Sequence, residues 1–250
     1  TPEHLNSGQL ADRFPTEPTA ATLPAPSASA NPAQLTAGLL RAAVAQGAEI
    51  VSPIEVTDVS ERGDDVALAT KDGRVLTAGD VVFCSGYEFL NSMESQSHQI
   101  VSTWALASAP RLTRPAWLNG FLVWEGSDPY LYFRTTPDGR IIAGGEDEDD
   151  PLAHQDIAKG KKKYARIVEK LNDLVGIEIG TPAYRWAAPF GTTRTGLPII
   201  DTVPGTRHVH AVMGFGGNGI TFSMIAAAII SARLNGCPDR DEDLFRYPER

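Results

Sequence analysis

The sequence has 250 residues, with 31 acidic against 22 basic side chains and a formal net charge of −9. That balance argues against a nucleic-acid grip, which needs a basic face to displace phosphate counterions. With 42% hydrophobic and 21% charged residues, wholesale disorder is excluded and there is apolar material for one large core or two small ones. Cys84 and Cys237 have neither a CxxC partner nor a histidine at ligand spacing, so a disulfide scaffold and a structural zinc site are poorly supported and a reducing, cytoplasmic compartment is expected.

Residues 1–33 carry Pro2, Pro15, Pro18, Pro24, Pro26 and Pro32 among small and polar residues. Without helix or strand periodicity, this lead-in is expected to be mostly irregular. It starts at Thr1 and lacks the basic start and apolar middle of a signal peptide, so a preceding segment is expected. From Asn31-Pro32 the pattern changes. Leu35, Leu39, Ala42, Ala43 and Ala45 recur at three and four, predicting a helix closed near Gly47, with a strand over 48–53 after it. Three short strands around 54–61, 65–72 and 74–86, with turns at Gly63-Asp64 and Asp72-Gly73, predict an antiparallel meander feeding a buried strand from Val81 to Cys84.

Between about 92 and 206 the strands lengthen and gain aromatics, over 99–107, 120–126, 130–136 and 140–146, with a turn at Pro137-Asp138-Gly139. A helix is expected over 156–175, with Ile157, Tyr164, Ile167, Val168, Leu171 and Leu174 on one side. Lys159, Lys161, Lys162 and Lys163 near its start read as a solvated face, and the acidic run 146–150 reads as carboxylates facing water, with no metal site. The chain closes with a strand over 208–214, a glycine-rich turn, a helix from Ile220 to about Asn235 and a polar tail. That last apolar stretch is shorter than the roughly 20 residues a bilayer crossing needs. His98, His208 and His210 lack a Ser or Cys nucleophile in an elbow, so a hydrolase triad is unsupported.

Gly214, Gly216 and Gly219 form GxGxxG between the last strand and the last helix. A dinucleotide fold also needs a second strand ending in an acidic residue about 20 positions on, and only residues 236–250 follow, so the ordinary first-strand assignment fails. What remains is either tight strand-to-helix packing or a turn whose amides and helix dipole accept negative charge near bare backbone. Asn218 suits either a helix cap or a ligand donor.

The closing MGFGGNGITFSMIAAAIISARLNG resembles the C-terminal flavin-contacting segment of the D-amino-acid-oxidase-like (DAO) family of FAD-dependent oxidoreductases, the group containing glycine oxidase and sarcosine oxidase. DVVFCSGYE is similar to their buried strand with its ATG-type ending, NPAQLTAGLLRAAVAQGAEI to the helix and strand before it, and YLYFRTTPDGRIIAGGEDED with FGTTRTGLPII to their substrate-domain strands. The likeness runs from about Asn31 to Gly236. Two departures stand out. Nothing in the sequence plays the family's first GxGxxG unit, which holds the ADP half of FAD, and Arg194-Thr195-Gly196 stands where the family usually has Asp before Gly.

The resemblance implies an α/β and α+β fold: an incomplete FAD/NAD(P)-binding-type domain with a β-meander over 1–90 and 206–250, and an antiparallel-sheet substrate domain over 91–205. It implies that Gly214, Gly216, Gly217, Asn218, Gly219 and Ile220 meet the pyrimidine edge of the flavin, where negative charge develops on reduction. Ser85 and Gly86 would approach the same cofactor, or simply end their strand. Arg134 stands in an apolar, aromatic strand and must have an anionic partner or a wet cavity. By resemblance it clamps a substrate carboxylate; the alternative is an ion pair with an acid such as Glu146. Tyr132 and Tyr130 line the same cavity or belong to the core. The implied activity is oxidation of the C–N bond of a small amine or amino acid with hydride passing to FAD, in a chain that by itself holds FAD weakly and is catalytically silent. The alternatives are an assembly module completed by another chain or by itself, and a nicotinamide-dependent dehydrogenase.

Overall fold

A computed structural model describes residues 1–14, 20–24, 28–237 and 239–248. In chain order the elements are β1 (Glu3–Asn6), α1 (Ser7–Arg13), β2 (Ala20–Leu23), α2 (Pro32–Ala45), β3 (Val56–Arg62), β4 (Asp65–Thr70), β5 (Val75–Ala78), β6 (Val81–Phe83) and β7 (His98–Ala107). There follow β8 (Leu122–Trp124), β9 (Leu131–Thr135), β10 (Ile141–Glu148), α3 (Ile157–Val175), β11 (Tyr184–Thr193), β12 (Ile199–Thr202), β13 (Val209–Met213) and α4 (Gly219–Leu234). The fold is mixed, with antiparallel sheets and four helices among the described residues. The chain divides into two units, one of Thr1–Ala30 with Val101–Pro189 and one of Asn31–Ile100 with Phe190–Arg250.

The first unit is built on a sheet in the order β11-β7-β10-β9-β8. One face is packed by α3, whose Ile167, Leu171 and Val175 join Trp104, Leu106, Leu131, Phe133 and Ile141 in a single core. Asp156 caps α3 by accepting from the Ala158 and Lys159 amides, and Gly176 ends it at φ 64°. Of the lysines at its start, Lys161 and Lys162 are exposed as expected, whereas Lys159 and Lys163 turn to acids of β10. Lys163 is buried and donates to the Glu146 carbonyl at 2.7 Å, with Glu148 Oε1 3.0 Å away. Lys159 donates to Glu148 Oε2 at 2.6 Å, and Lys170 Nζ stands 2.7 Å from Glu146 Oε1. In the acidic run Asp149 and Asp150 are exposed as expected, while Glu146 and Glu148 are not. β10 extends through Glu148, and a bulge between Gly145 and Glu148 turns Glu146 (φ 61°) inward against these cations.

The lead-in also departs from expectation, because β1, α1 and β2 form there. Asn6 and Gln9 close a reciprocal capping box, and Leu5, Leu10 and Phe14 pack against Trp117 and Phe121.

The second unit holds the β3-β4-β5 meander and a sheet in the order β12-β13-β6. β13 is buried at every position and pairs with β12 antiparallel and with β6 in parallel. α4 covers this sheet through Ala226, Ile229 and Ile230, which meet Ile200, Val212 and Phe245. The tail is tied down by Tyr247, whose hydroxyl donates to the Met93 carbonyl at 3.1 Å and whose amide donates to Asp201 Oδ2 at 3.1 Å. α2 forms where the periodicity predicts it, but the expected strand over 48–53 does not. Among the described residues no helix is long and apolar enough to cross a membrane.

Candidate functional site

β6 and β13 run in parallel, with Phe83 opposite Ala211. Three residues beyond that pair each chain turns on a left-handed glycine, Gly86 at φ 68° and Gly214 at φ 78°. The structure thus brings Ser85 and Gly86 to the same sheet end as Gly214, Gly216, Gly217, Asn218, Gly219 and Ile220. The carboxyl ends of parallel strands are where open α/β sheets receive ligands.

Gly216, also left-handed at φ 55°, donates its amide to the Gly191 carbonyl at 2.9 Å, and the Asn218 amide donates to the Phe215 carbonyl at 3.2 Å. Among the described residues, the amides of Gly219, Ile220 and Thr221 have no backbone acceptor. Asn218 does not cap α4 with its side chain, which leaves its amide group exposed at the helix start. Bare glycine backbone, open N–H groups and a helix dipole suit an anionic edge, so these residues fit a flavin contact.

Sequence reasoning missed what holds this bend. The His98 ring lies against Gly191, whose added Cβ would stand 2.5 Å from Nε2, and it packs edge-on to Phe89 at 4.8 Å. An added Cβ on Gly214 would meet Thr193 Cγ2 at 2.7 Å. His98 Nε2 is buried with no hydrogen-bond partner, and burial lowers the imidazole pKa. The His98–Gly191 contact joins positions about 90 apart in sequence, beyond the reach of any local pattern. The Arg194-Thr195-Gly196 turn forms with Gly196 at φ 75° and its amide on the Thr193 carbonyl at 3.1 Å, so Thr195 is accommodated there.

In the first unit Leu131 and Phe133 enter the α3 core, so alternation puts Tyr130, Tyr132 and Arg134 on the opposite face. Arg134 sits between Leu122 on β8 and Ile142 on β10 in register, and Tyr132 between Trp124 and Gly144. Arg134 is half-buried and has no hydrogen bond or ion pair among the described residues. The Glu146 alternative does not arise, because Glu146 is held by Lys163, Arg166 and Lys170. Tyr130 donates to Asp147 Oδ2 at 2.6 Å. Burial raises the pKa of both Tyr130 and Tyr132, reinforced at Tyr130 by its hydrogen bond to Asp147 and at Tyr132 by the Asp147 charge, so both phenols remain donors.

Residues 1–233 match the sequence family described as DAO, FAD dependent oxidoreductase. The chain belongs to this family. Its fold is shared with glycine oxidase from Geobacillus kaustophilus, at 20% identity and a TM-score of 0.83, over 100% of this chain and 67% of that one. L-proline dehydrogenase from P. horikoshii matches at 15% identity and a TM-score of 0.71, over 98% and 67% of the two chains. Amadoriase I from Aspergillus fumigatus, a fructosyl amine:oxygen oxidoreductase, matches at 14% identity and a TM-score of 0.73, over 99% and 63%. The chain therefore spans about two thirds of the length of these relatives. No curated protein matches the sequence.

Two outcomes follow from the bend. Gly191→Ala drives a Cβ against the His98 ring and is expected to destabilise the protein by about 1–3 kcal/mol in urea unfolding. Gly86→Ala, with open space at its Cβ, is limited to the roughly 1–2 kcal/mol of a left-handed alanine.

The second outcome concerns pH. His98 and His210 both have folded pKa values below 6.5, each chiefly through burial, with Asp80 opposing at His210. The unfolded chain therefore takes up these protons first as the pH drops below about 6.5, and unfolding free energy declines from there downward. His98→Leu is expected to flatten part of that slope, measured by urea titrations at about pH 7, 6 and 5.

Proposed function

We propose that the chain serves the FAD-dependent oxidation of the C–N bond of a small amine or amino acid. The observation that carries this is the shared carboxyl end of β6 and β13, where two glycine turns and the open α4 amides meet in a member of an FAD-dependent family. Bound FAD supplies the acceptor for the hydride that leaves the substrate carbon, while a proton leaves the nitrogen to give the imine. In this proposal the unit holding the bend serves the cofactor, with Ser85, Gly86, Gly214, Gly216, Gly217, Asn218, Gly219 and Ile220 as contacts. The unit holding Arg134 and Tyr132 serves the substrate. The α4 dipole favours the anionic rim by about 0.3–1 kcal/mol when exposed and up to ~2 when partly buried, enough to bias a redox step and too little to hold the cofactor. FAD is accordingly held weakly, so the chain without added flavin is catalytically silent and turnover is sought only at saturating FAD.

Arg134 receives the substrate carboxylate. It is a cation without an ion pair among the described residues, on an aromatic sheet face, and its planar fork matches a carboxylate in two parallel hydrogen bonds. Glycine and L-proline, for which two of the relatives are named, are carboxylated amines. Tyr132, one residue pair along the same face, donates beside it. The two unpaired cysteines, Cys84 and Cys237, suit a cytoplasmic location.

The test is FAD titration followed by tryptophan quenching, then anaerobic addition of glycine, sarcosine and L-proline at saturating FAD. Quenching that saturates, loss of flavin absorbance with at least one amine, and release of the flavin on desalting are expected. Arg134→Met is expected to raise the concentration needed for carboxylated amines by about ten- to a hundred-fold, the equivalent of a lost charged hydrogen bond. Absence of both quenching and bleaching contradicts the function, and flavin retained through desalting contradicts weak holding.

A second function, assembly with another polypeptide or a second copy, is favoured by a different observation. α2 has no buried residue, and its Leu35, Leu39, Leu40 and Val44 are exposed together with Ile50 and Val51 just after it. β6 has β13 as its one strand neighbour among the described residues, leaving its other edge open. Self-association on sizing is expected, and Leu39→Glu is expected to abolish it while far-ultraviolet circular dichroism is retained. A wild-type monomer that binds no hydrophobic dye counts against assembly.

A further inference from the structure

We propose that the first unit carries a second small-molecule site, for an organic ammonium ion with an apolar body, in the pocket between the N-terminal β1-α1-β2 segment and β8. The pocket has a volume of about 540 Å³, within the 300–1,000 Å³ usual for small-ligand sites. Leu10, Phe14, Trp117, Phe121 and Phe133 form its apolar wall, and Glu125 is its one carboxylate among the described residues. Phe133 and Arg134 are successive in β9 and point to opposite faces of the sheet, so the Phe133 wall lies across the sheet from Arg134, while Leu122 and Trp124 of the edge strand β8 border the pocket beside the Arg134 and Tyr132 register.

Glu125 defines the ligand. Its Oε2 is shielded from solvent and lacks a hydrogen-bond partner, and its side chain has no ion pair among the described residues. A buried carboxylate oxygen left without a donor is costly, and such an orphan in a native fold calls for a missing partner. The bases near this segment are committed elsewhere: Arg13 to Glu3 at 2.9 Å and Lys170 to Glu146 and the Pro129 carbonyl, each at 2.7 Å. His4, in the pocket rim, shares a 3.1 Å hydrogen bond with Thr22. A ligand ammonium supplies the donor and the charge together, and the aromatic lining of Trp117 and Phe121 accepts an apolar body, while Phe14 already carries the Arg13 guanidinium over its ring at 5.5 Å. A carboxylate on the ligand would be repelled by Glu125, so the pocket selects simple amines and rejects zwitterionic amino acids. The Trp117 indole N–H, also buried without an acceptor, offers a donor to any oxygen on the ligand.

The experiment titrates the full chain with 2-phenylethylammonium, 2-phenylethanol and phenylacetate. Binding is read by tryptophan fluorescence and by NMR shifts of the amides over 4–14 and 121–126. Saturable binding of the ammonium with shifts confined to those segments is expected, with the alcohol about ten-fold weaker or more and phenylacetate silent. Glu125→Gln is expected to bring the ammonium down to the alcohol's affinity, with its circular dichroism unchanged. Equal binding of ammonium and alcohol, shifts elsewhere in the chain, or no saturable binding overturns the proposal. The ligand series on the unmodified protein decides it even where the variant folds poorly.

Discussion

The parallel pairing of β6 with β13 is the constraint from which the candidate cofactor surface follows. Parallel strands leave a sheet at the same end, so two segments more than 120 residues apart in sequence must turn side by side. β13 is buried throughout and has no room to drift. The chain leaves both strands through left-handed glycines, which allow an immediate change of direction that a side chain would resist. α4 then packs back on the sheet through Ala226, Ile229 and Ile230, while Ile220 and Met224 near its start stay exposed. The open amides of α4 are thus presented by a helix anchored at its middle and free at its beginning.

The first unit is organised by charge as much as by apolar packing. Glu146 and Glu148 on β10 and Lys159, Lys163 and Lys170 on α3 form one network at the edge of the core. Removing one member of such a buried set leaves its partner unpaired, which is why these groups specify how α3 lies on the sheet more than they add net stability. Engagement of Glu146 there has a consequence on the opposite face. The acid weighed as a partner for Arg134 is already taken, and the guanidinium has no ion pair among the described residues.

Much of this was legible in the sequence, and the misses share one cause. The meander, the long strands, α3 and α4 follow from periods of two and of three to four, because each buries one face on a sheet. The lead-in lacks such a period, and its order comes from Phe14 meeting Trp117 and Phe121 about a hundred residues away. The lysine run and the acidic run each read as solvated because either one alone is, and only the bulge in β10 sets them against each other. The glycine bend was visible from GxGxxG between a strand and a helix. His98 and Gly191, which brace it, were not, since neither residue type signals contact with a partner brought near by the fold. Burial and charge at single positions can be read locally, whereas pairing between distant segments is a property of topology.

The two units leave different physical demands unmet, and that difference separates the kinds of occupant they imply. A scattered exposed leucine needs no explanation, but α2 is a separate matter. Its 14 residues are near the length at which isolated helices are marginal in water, and helices in proteins owe most of their stability to a packed face. Asn31 accepting from two amides and Pro32 in the first turn supply about 1 kcal/mol of capping, which offsets only part of the ordering entropy. With no side chain of α2 buried, the proposed assembly would supply the remainder through a surface laid over Leu35, Leu39, Leu40 and Val44, which a small polar ligand cannot cover. The pocket at Glu125 presents the reverse case. Leu10, Phe14 and Phe133 at its wall are already buried, and what the proposed site lacks is a donor with a positive charge for the shielded Glu125 oxygen. An extended apolar face without cover therefore suits a polypeptide, and a shielded carboxylate oxygen without a cation suits an amine.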